Sequence, residues 1–157
     1  MMKGGELSSG EKVMIALVRV AELFKRRSSS IFNHHGLSFS QYNALRLLET
    51  APVGSMSITE ISRRLLVSTP NMSGIAKRLE KSEFAVRGAD DNDDRKTILQ
   101  ITPKGRQVVL EIRNFQETNI RDFVSCCEGD QMSEMLAMLK KMLELDNSDL
   151  LRPPRQR

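Results

Sequence analysis

The stretch that decides the fold runs from Ser57 to Thr102: SITEISRRLLVSTPNMSGIAKRLEKSEFAVRGADDNDDRKTILQIT. Ile58, Ile61, Leu65 and Leu66 make a short apolar stripe at helical spacing. Ser57-x-x-Glu60 before them has the letters of a capping box. Ser68-Thr69-Pro70 opens a second helix, because a polar cap followed by proline suits a helix N-terminus. Met72, Ile75, Ala76 and Leu79 then recur on one face, leaving Thr69, Asn71, Ser73, Gly74, Lys77 and Arg78 on the rest. Residues 84–87 and 97–101 read as two strands, with 88–96 as a polar loop between them.

Two short helices followed by a hairpin predict a winged helix-turn-helix. In that arrangement the first helix supports and the second offers its N-terminal residues to base edges. Asn71 is the strongest base-reading candidate, since Asn bonds adenine with two hydrogen bonds. Ser68, Thr69 and Ser73 suit phosphate or base, and Gly74 lets the helix approach closely. Lys77, Arg78, Arg63 and Arg64 suit phosphates. The same residues also fit a plain solvated helix face.

The loop carries Asp90, Asp91, Asp93 and Asp94, whose charge opposes phosphate. It is either a solvated turn or a device in which Asp93 holds the Arg95 guanidinium in a fixed direction. A guanidinium so oriented enters a narrow minor groove, where the potential is most negative. Arg87 and Lys96 flank it on the strands.

Outward from this segment the chain is helical. Ser8-x-x-Glu11 is a capping box, and Val13, Leu17, Val20, Phe24 and Ile31 follow on one face until Gly36. Ser38-x-x-Gln41 is another box, followed by Tyr42, Leu45 and Leu48. The run from Ala51 to Gly54 breaks the chain. Thr102-Pro103 opens a helix through Val108, Ile112 and Phe115, and Gly129 interrupts. A last helix carries Met132, Met135, Leu136, Leu139, Met142 and Leu143. Its methionines read as core or a dimer seam before they read as a plastic ligand site. The expected fold is mainly α with a small β-hairpin wing.

At 157 residues there is length for one domain with an appended dimerisation element. The apolar share is 39% and the aromatic share 4%, which suits a helical chain that completes its burial in an oligomer. A net charge of +4 points to a polyanion only weakly. The N-terminus lacks the apolar core of a signal peptide, and no run approaches a membrane span, so the expectation is a cytoplasmic protein. No phosphate-cradling glycine loop, metal-ligand spacing or nucleophile–base set is apparent, so neither an enzyme nor a cofactor is expected.

Cys126 and Cys127 are adjacent and form no disulfide framework. They are read as packing residues or as a redox pair, and their neighbours Ser125 and Glu128 do nothing to lower a thiol pKa. His34 and His35 point about 100° apart on a helix and make a poor metal pair, so no metal is expected.

Three stretches carry a family resemblance: LSFSQYNALRLL, ITEISRRLLVSTPNMSGIAKRLEKSEFAVR, and DDRKTILQITPKG. The chain resembles the MarR family of winged helix-turn-helix transcriptional regulators, most specifically in Asp93-x-Arg95, a strand, then Thr-Pro-Lys-Gly. The resemblance implies a homodimer whose first and last helices interlock, with two winged domains on a palindromic operator in double-stranded DNA. It implies repression relieved by a small aromatic or anionic effector, or by thiol oxidation. The expected division is 1–36 and 103–147 for dimerisation, 37–102 for DNA binding and 148–157 as a basic disordered tail. Phe32, Tyr42 and Phe115 are candidates for the effector cleft, although each also fits a core role. Glu83 departs from the family's usual glycine, so either Glu adopts the left-handed turn or the helix ends differently. The competing readings are a winged-helix protein-interaction module without specific DNA binding, and a redox-sensing regulator acting through Cys126 and Cys127.

Overall fold

The computed structural model describes residues 6–90 and 93–145, without the side chains of 93–95 and 145. The elements are α1 (Ser9–Asn33), α2 (Phe39–Thr50), a single 3-10 turn (Pro52–Gly54), β1 (Ser55–Ser57), α3 (Ile58–Arg64), α4 (Thr69–Lys81), β2 (Ala85–Asp90), β3 (Asp93–Ile101), α5 (Pro103–Phe123) and α6 (Gln131–Leu145). They divide into two compact units, one up to Asn119 and the other from Ile120 onward. No described helix is long and apolar enough to cross a membrane. The tail 148–157 and Asp91–Asn92 lie outside the described residues.

The helix starts follow from local capping chemistry. Each helix leaves its first N–H groups without intrahelical partners. The Ser8 and Ser38 hydroxyls accept from the N–H groups of Glu11 and Gln41, and those side chains accept in return from the Ser8 and Ser38 N–H groups. The hydroxyl oxygens of Ser57, Ser68 and Thr102 accept from the N–H groups of Glu60, Asn71 and Gly105 and so cap α3, α4 and α5 without a return bond. The expected box at Ser57 is only half formed: Ser57 accepts from Glu60 N–H, but the Glu60 carboxylate accepts from Arg64 at 2.6 Å instead. A charge-assisted bond outcompetes a return bond to a neutral amide.

The helix ends share one geometry. After α1, Leu37 N–H donates to Phe32 O, with Gly36 in the left-handed region at φ 69°. After α3, Val67 N–H donates to Ser62 O and Leu66 N–H to Arg63 O, with Leu66 at φ 52°. After α4, Phe84 N–H donates to Leu79 O and Glu83 N–H to Glu80 O, with Glu83 at φ 61°. These are Schellman ends. Two of them place a residue with a Cβ where glycine is preferred. Of the two expectations for Glu83, the structure has the left-handed turn.

The core of the first unit gathers around α2, α3 and α4. Leu45, Leu48, Ile61, Met72, Leu79, Leu99 and Ile112 are fully buried. The sheet order is β1-β3-β2, antiparallel throughout. Strand β1 was not foreseen, because three residues carry no usable alternation. Met56 is its buried member and pairs with Leu99. The expected loop 88–96 is also corrected: β2 continues to Asp90 and β3 begins at Asp93, with a register shift between Ala89 and Asp90. A two-stranded ribbon is held by backbone bonds, so its outer rungs need no apolar residues.

Candidate nucleic-acid interface

The α3–α4 corner is built around a buried serine. Ser62 Oγ donates to Val67 O at 2.6 Å and lies 3.5 Å from Thr69 Oγ1, joining the end of α3 to the start of α4. Met72, Ile75, Ala76 and Leu79 bury the inner face of α4. Thr69, Asn71, Lys77 and Arg78 are exposed on the other side, while Ser73 and Gly74 are half-buried. Ser68 is exposed and its oxygen is committed to the cap, leaving its hydroxyl proton to point elsewhere.

The cations divide into two sets. The side chains of Arg63, Lys77 and Arg78 form no hydrogen bond or ion pair with a described residue. Arg64 is paired with Glu60 across one helical turn. Arg87 donates from Nε at 2.9 Å and from Nη2 at 2.5 Å to a single oxygen of Glu80. The bond to Arg87 holds the Glu80 carboxyl below its ordinary value. Arg87 thus ties strand β2 to α4 and fixes the angle between helix and ribbon. Lys96 is exposed on β3, and the side chains of Asp93 and Arg95 lie outside the described part of the structure.

The Thr-Pro-Lys-Gly run fixes the other end of α4. Thr102 Oγ1 donates to Glu83 O at 2.7 Å and accepts from Gly105 N–H at 3.0 Å. Lys104 Nζ donates to Glu83 Oε2 at 2.7 Å and sits 5.5 Å from the centre of the Phe84 ring. That contact lowers the Glu83 carboxyl's pKa. A Cβ on Gly105 would come within 2.1 Å of Phe84 O, so only glycine lets α5 approach the turn this closely. Thr102, Lys104 and Gly105 thus clamp the turn after α4 to the start of α5. Sequence reasoning used the run as a family marker and missed its mechanical role. The Glu80–Arg87 pair was also missed, because seven residues separate partners on different elements. The Glu60–Arg64 pair had a usable signal in its spacing of four.

The expected effector cleft does not assemble as a set. Phe32 is fully buried and stacks on Tyr42 with ring centres 4.0 Å apart. Tyr42 is itself only 4% exposed, and burial pushes its phenol pKa up. Both belong to the core because their spacing places them on the inner faces of α1 and α2. Phe115 is 64% exposed. It lines a separate hollow of about 330 Å³ with Ser30, Ile31, His34 and His35. His34 Nδ1 is 2.7 Å from Ser30 O, and His35 Nδ1 is 3.7 Å from Glu111. Among the described residues no three His, Cys, Asp or Glu side chains gather as a metal site. Cys126 is exposed and Cys127 half-buried, with their sulfurs 4.0 Å apart.

A trihelical core, a three-stranded sheet with a projecting ribbon and an outward polar helix define a winged helix-turn-helix protein. A model described as the MarR family matches residues 35–96. The homoprotocatechuate degradative operon repressor of Escherichia coli is 24% identical over 138 residues, covering 88% of this chain and 92% of that protein. The structure of Sco3205, a MarR family transcriptional regulator from Streptomyces coelicolor in complex with DNA, superposes with a TM-score of 0.79 at 18% identity, covering 98% of this chain and 95% of that one. The structure of BpsR from Bordetella bronchiseptica, whose DNA binding is regulated by 6-hydroxynicotinic acid, gives 0.76 at 21% identity, covering 88% and 97%. The chain is thus similar to the MarR family of transcriptional regulators, over residues 35–96 by the family model and in fold over most of its length, and the relatives it matches are named as regulators rather than enzymes.

Proposed function

We propose that this chain is a homodimeric, sequence-specific DNA-binding regulator, a repressor released from a palindromic operator by a small aromatic or anionic ligand. The observation that carries the reading is the two-sidedness of α4: four apolar residues are buried while Thr69, Asn71, Lys77 and Arg78 face solvent. Asn71 reads a base and Ser68, Thr69 and Ser73 support it. Arg63, Lys77 and Arg78 neutralise phosphates. Arg87 holds β2 to α4 through Glu80 and Arg64 is paired with Glu60 within α3, and Asp93, Arg95 and Lys96 belong to the ribbon that meets the adjacent backbone.

Residues 37–102 are the proposed DNA-binding domain, and 1–36 and 103–147 supply the dimer. Support for the dimer comes from α1, where Val13, Met14, Val18, Val20 and Leu23 are about half exposed. Apolar area of that extent on one helix marks an association surface. The name of the Escherichia coli relative supports repression, and the ligand named for BpsR supports release by a small aromatic acid. The hollow beside Phe115 is the proposed ligand position. A ligand there acts only if it binds the DNA-free arrangement more tightly than the DNA-bound one.

The test is fluorescence anisotropy with duplex DNA from the chain's own upstream region and with a scrambled duplex, at two salt concentrations. A preference for the first that survives higher salt supports the reading. Equal binding that vanishes with salt at every candidate operator overturns it. Asn71→Ala is expected to weaken the specific duplex by about 10- to 100-fold and the scrambled one hardly at all.

A further inference from the structure

We propose that Cys126 and Cys127 form a bidentate dithiol site for a trivalent thiophilic metalloid, with an organoarsenical as the simplest ligand. The pair lies in the turn between α5 and α6, where Cys127 N–H donates to Val124 O and Gly129 adopts φ 53°. The two sulfurs lie 4.0 Å apart, with Cys126 exposed and Cys127 half-buried.

Geometry selects the chemistry. A direct disulfide needs sulfurs about 2.05 Å apart and Cα atoms at least about 4.4 Å apart. Neighbouring Cα atoms across a trans peptide sit only about 3.8 Å apart, and the chain has no cis peptide among its described residues. Closing a disulfide here strains the intervening peptide, whereas inserting one bridging atom relieves that ring. Protonation points the same way. Burial and the neighbouring Cys126 thiol raise the Cys127 pKa. A thiol kept protonated is slow toward peroxide, which attacks thiolate.

Condensation with a trivalent arsenical needs no oxidant. Phenylarsine oxide and two thiols give one dithioarsinite and one water. Two As–S bonds form, the As–O bonds break, both thiol protons leave with that oxygen, and arsenic stays trivalent. Once the first As–S bond exists, the second closes intramolecularly and gains from the high effective concentration of the neighbour. The bound atom would lock the backbone of the turn. The site is independent of the nucleic-acid reading and stands or falls without it.

The experiment uses the reduced full chain titrated with phenylarsine oxide, read by intact mass and by free-thiol count. The expected result is one adduct per chain, both thiols lost together, reversal by 2,3-dimercaptopropanol and resistance to excess 2-mercaptoethanol. Cys126→Ser and Cys127→Ser are each expected to weaken binding by about 100-fold or more, because the chelate is lost. Circular dichroism checks that both variants fold. Two adducts per chain, ready removal by the monothiol, or unchanged affinity in either folded variant overturns the proposal.

Discussion

Helices α1 and α4 are both amphipathic, yet they meet opposite fates. Helix α4 has 13 residues and buries Met72, Ile75, Ala76 and Leu79 against the core. Helix α1 has 25 residues and buries only Ser28 and Phe32. Its first four turns carry valine, leucine, isoleucine and methionine into solvent. The difference shows that periodicity tells which face of a helix is apolar, but not what covers it. For α4 the cover is the same chain. For α1 the proposed cover is a second copy.

The C-terminal end of α1 shows the transition. Ser28 Oγ accepts from Gln116 at 3.1 Å and from Asn119 at 3.2 Å, and all three side chains are buried. A buried polar trio that satisfies itself holds α1 against α5 in one register, since a slipped alignment would leave those groups unpaired. Beyond it toward the N-terminus, α1 has little of its own chain to pack on.

The largest expected effect breaks the contrast outright. Val20→Asp places a carboxylate in the exposed stripe of α1. If a second copy covers that stripe, sedimentation velocity will show dissociation to monomers, and DNA affinity will fall by about 100-fold or more as bivalent binding is lost. An unchanged sedimentation coefficient would mean that water, not protein, covers α1.

Next is a matched pair. Leu79→Ala removes a fully buried side chain and is expected to cost about 2–5 kcal/mol in urea denaturation at any protein concentration. Leu23→Ala, at a residue 48% exposed, should stay within about 0.5 kcal/mol when the chain is dilute and monomeric. It should cost more as concentration rises. Equal costs at all concentrations would erase the distinction between the helices.

Gly105→Ala tests the clamp that holds α4 from the α5 side. The new methyl group meets the Phe84 carbonyl, and the expected loss is about 1–3 kcal/mol, again by urea denaturation. A neutral result would show that α5 can back away without disturbing the end of α4.

The smallest effect concerns the Glu80–Arg87 tie. Its folded pKa lies below the ordinary 4.5, so its contribution is present above that value. The contribution is lost as pH falls through 4.5 toward the lower folded value. The Arg87 Nε–H resonance should lose its exchange protection over that range, and Glu80→Gln should remove the pH dependence. Protection unchanged across the range would exclude the tie as the anchor of β2.

Much of this molecule was legible in advance. Ser8, Ser38, Ser68 and Thr102 announced helix starts, and the apolar rows on α2 and α4 named the core, because capping and periodicity act within a few residues. The exposed residues of α4 followed from the same periodicity. Legibility failed where partners are distant or the backbone is atypical. Nothing in Leu66 signals a left-handed turn, since glycine is the usual marker, and at Glu83 only the family resemblance raised that turn as one of two ways for the helix to end. Phe32 and Tyr42 were cleft candidates for which a core role already fitted better, and their stacked, buried rings are that core role.

By itself, then, the sequence determined most of the helices, their apolar faces and the class of fold, because those depend on local hydrogen bonds and on spacing along one helix. Only the tertiary structure decided that Ser55–Ser57 pairs with Gln100–Ile98, that Arg87 turns to Glu80, and that Gly105 sits beneath the Phe84 carbonyl. Each depends on residues far apart in the chain meeting at one distance and angle, which no local pattern encodes.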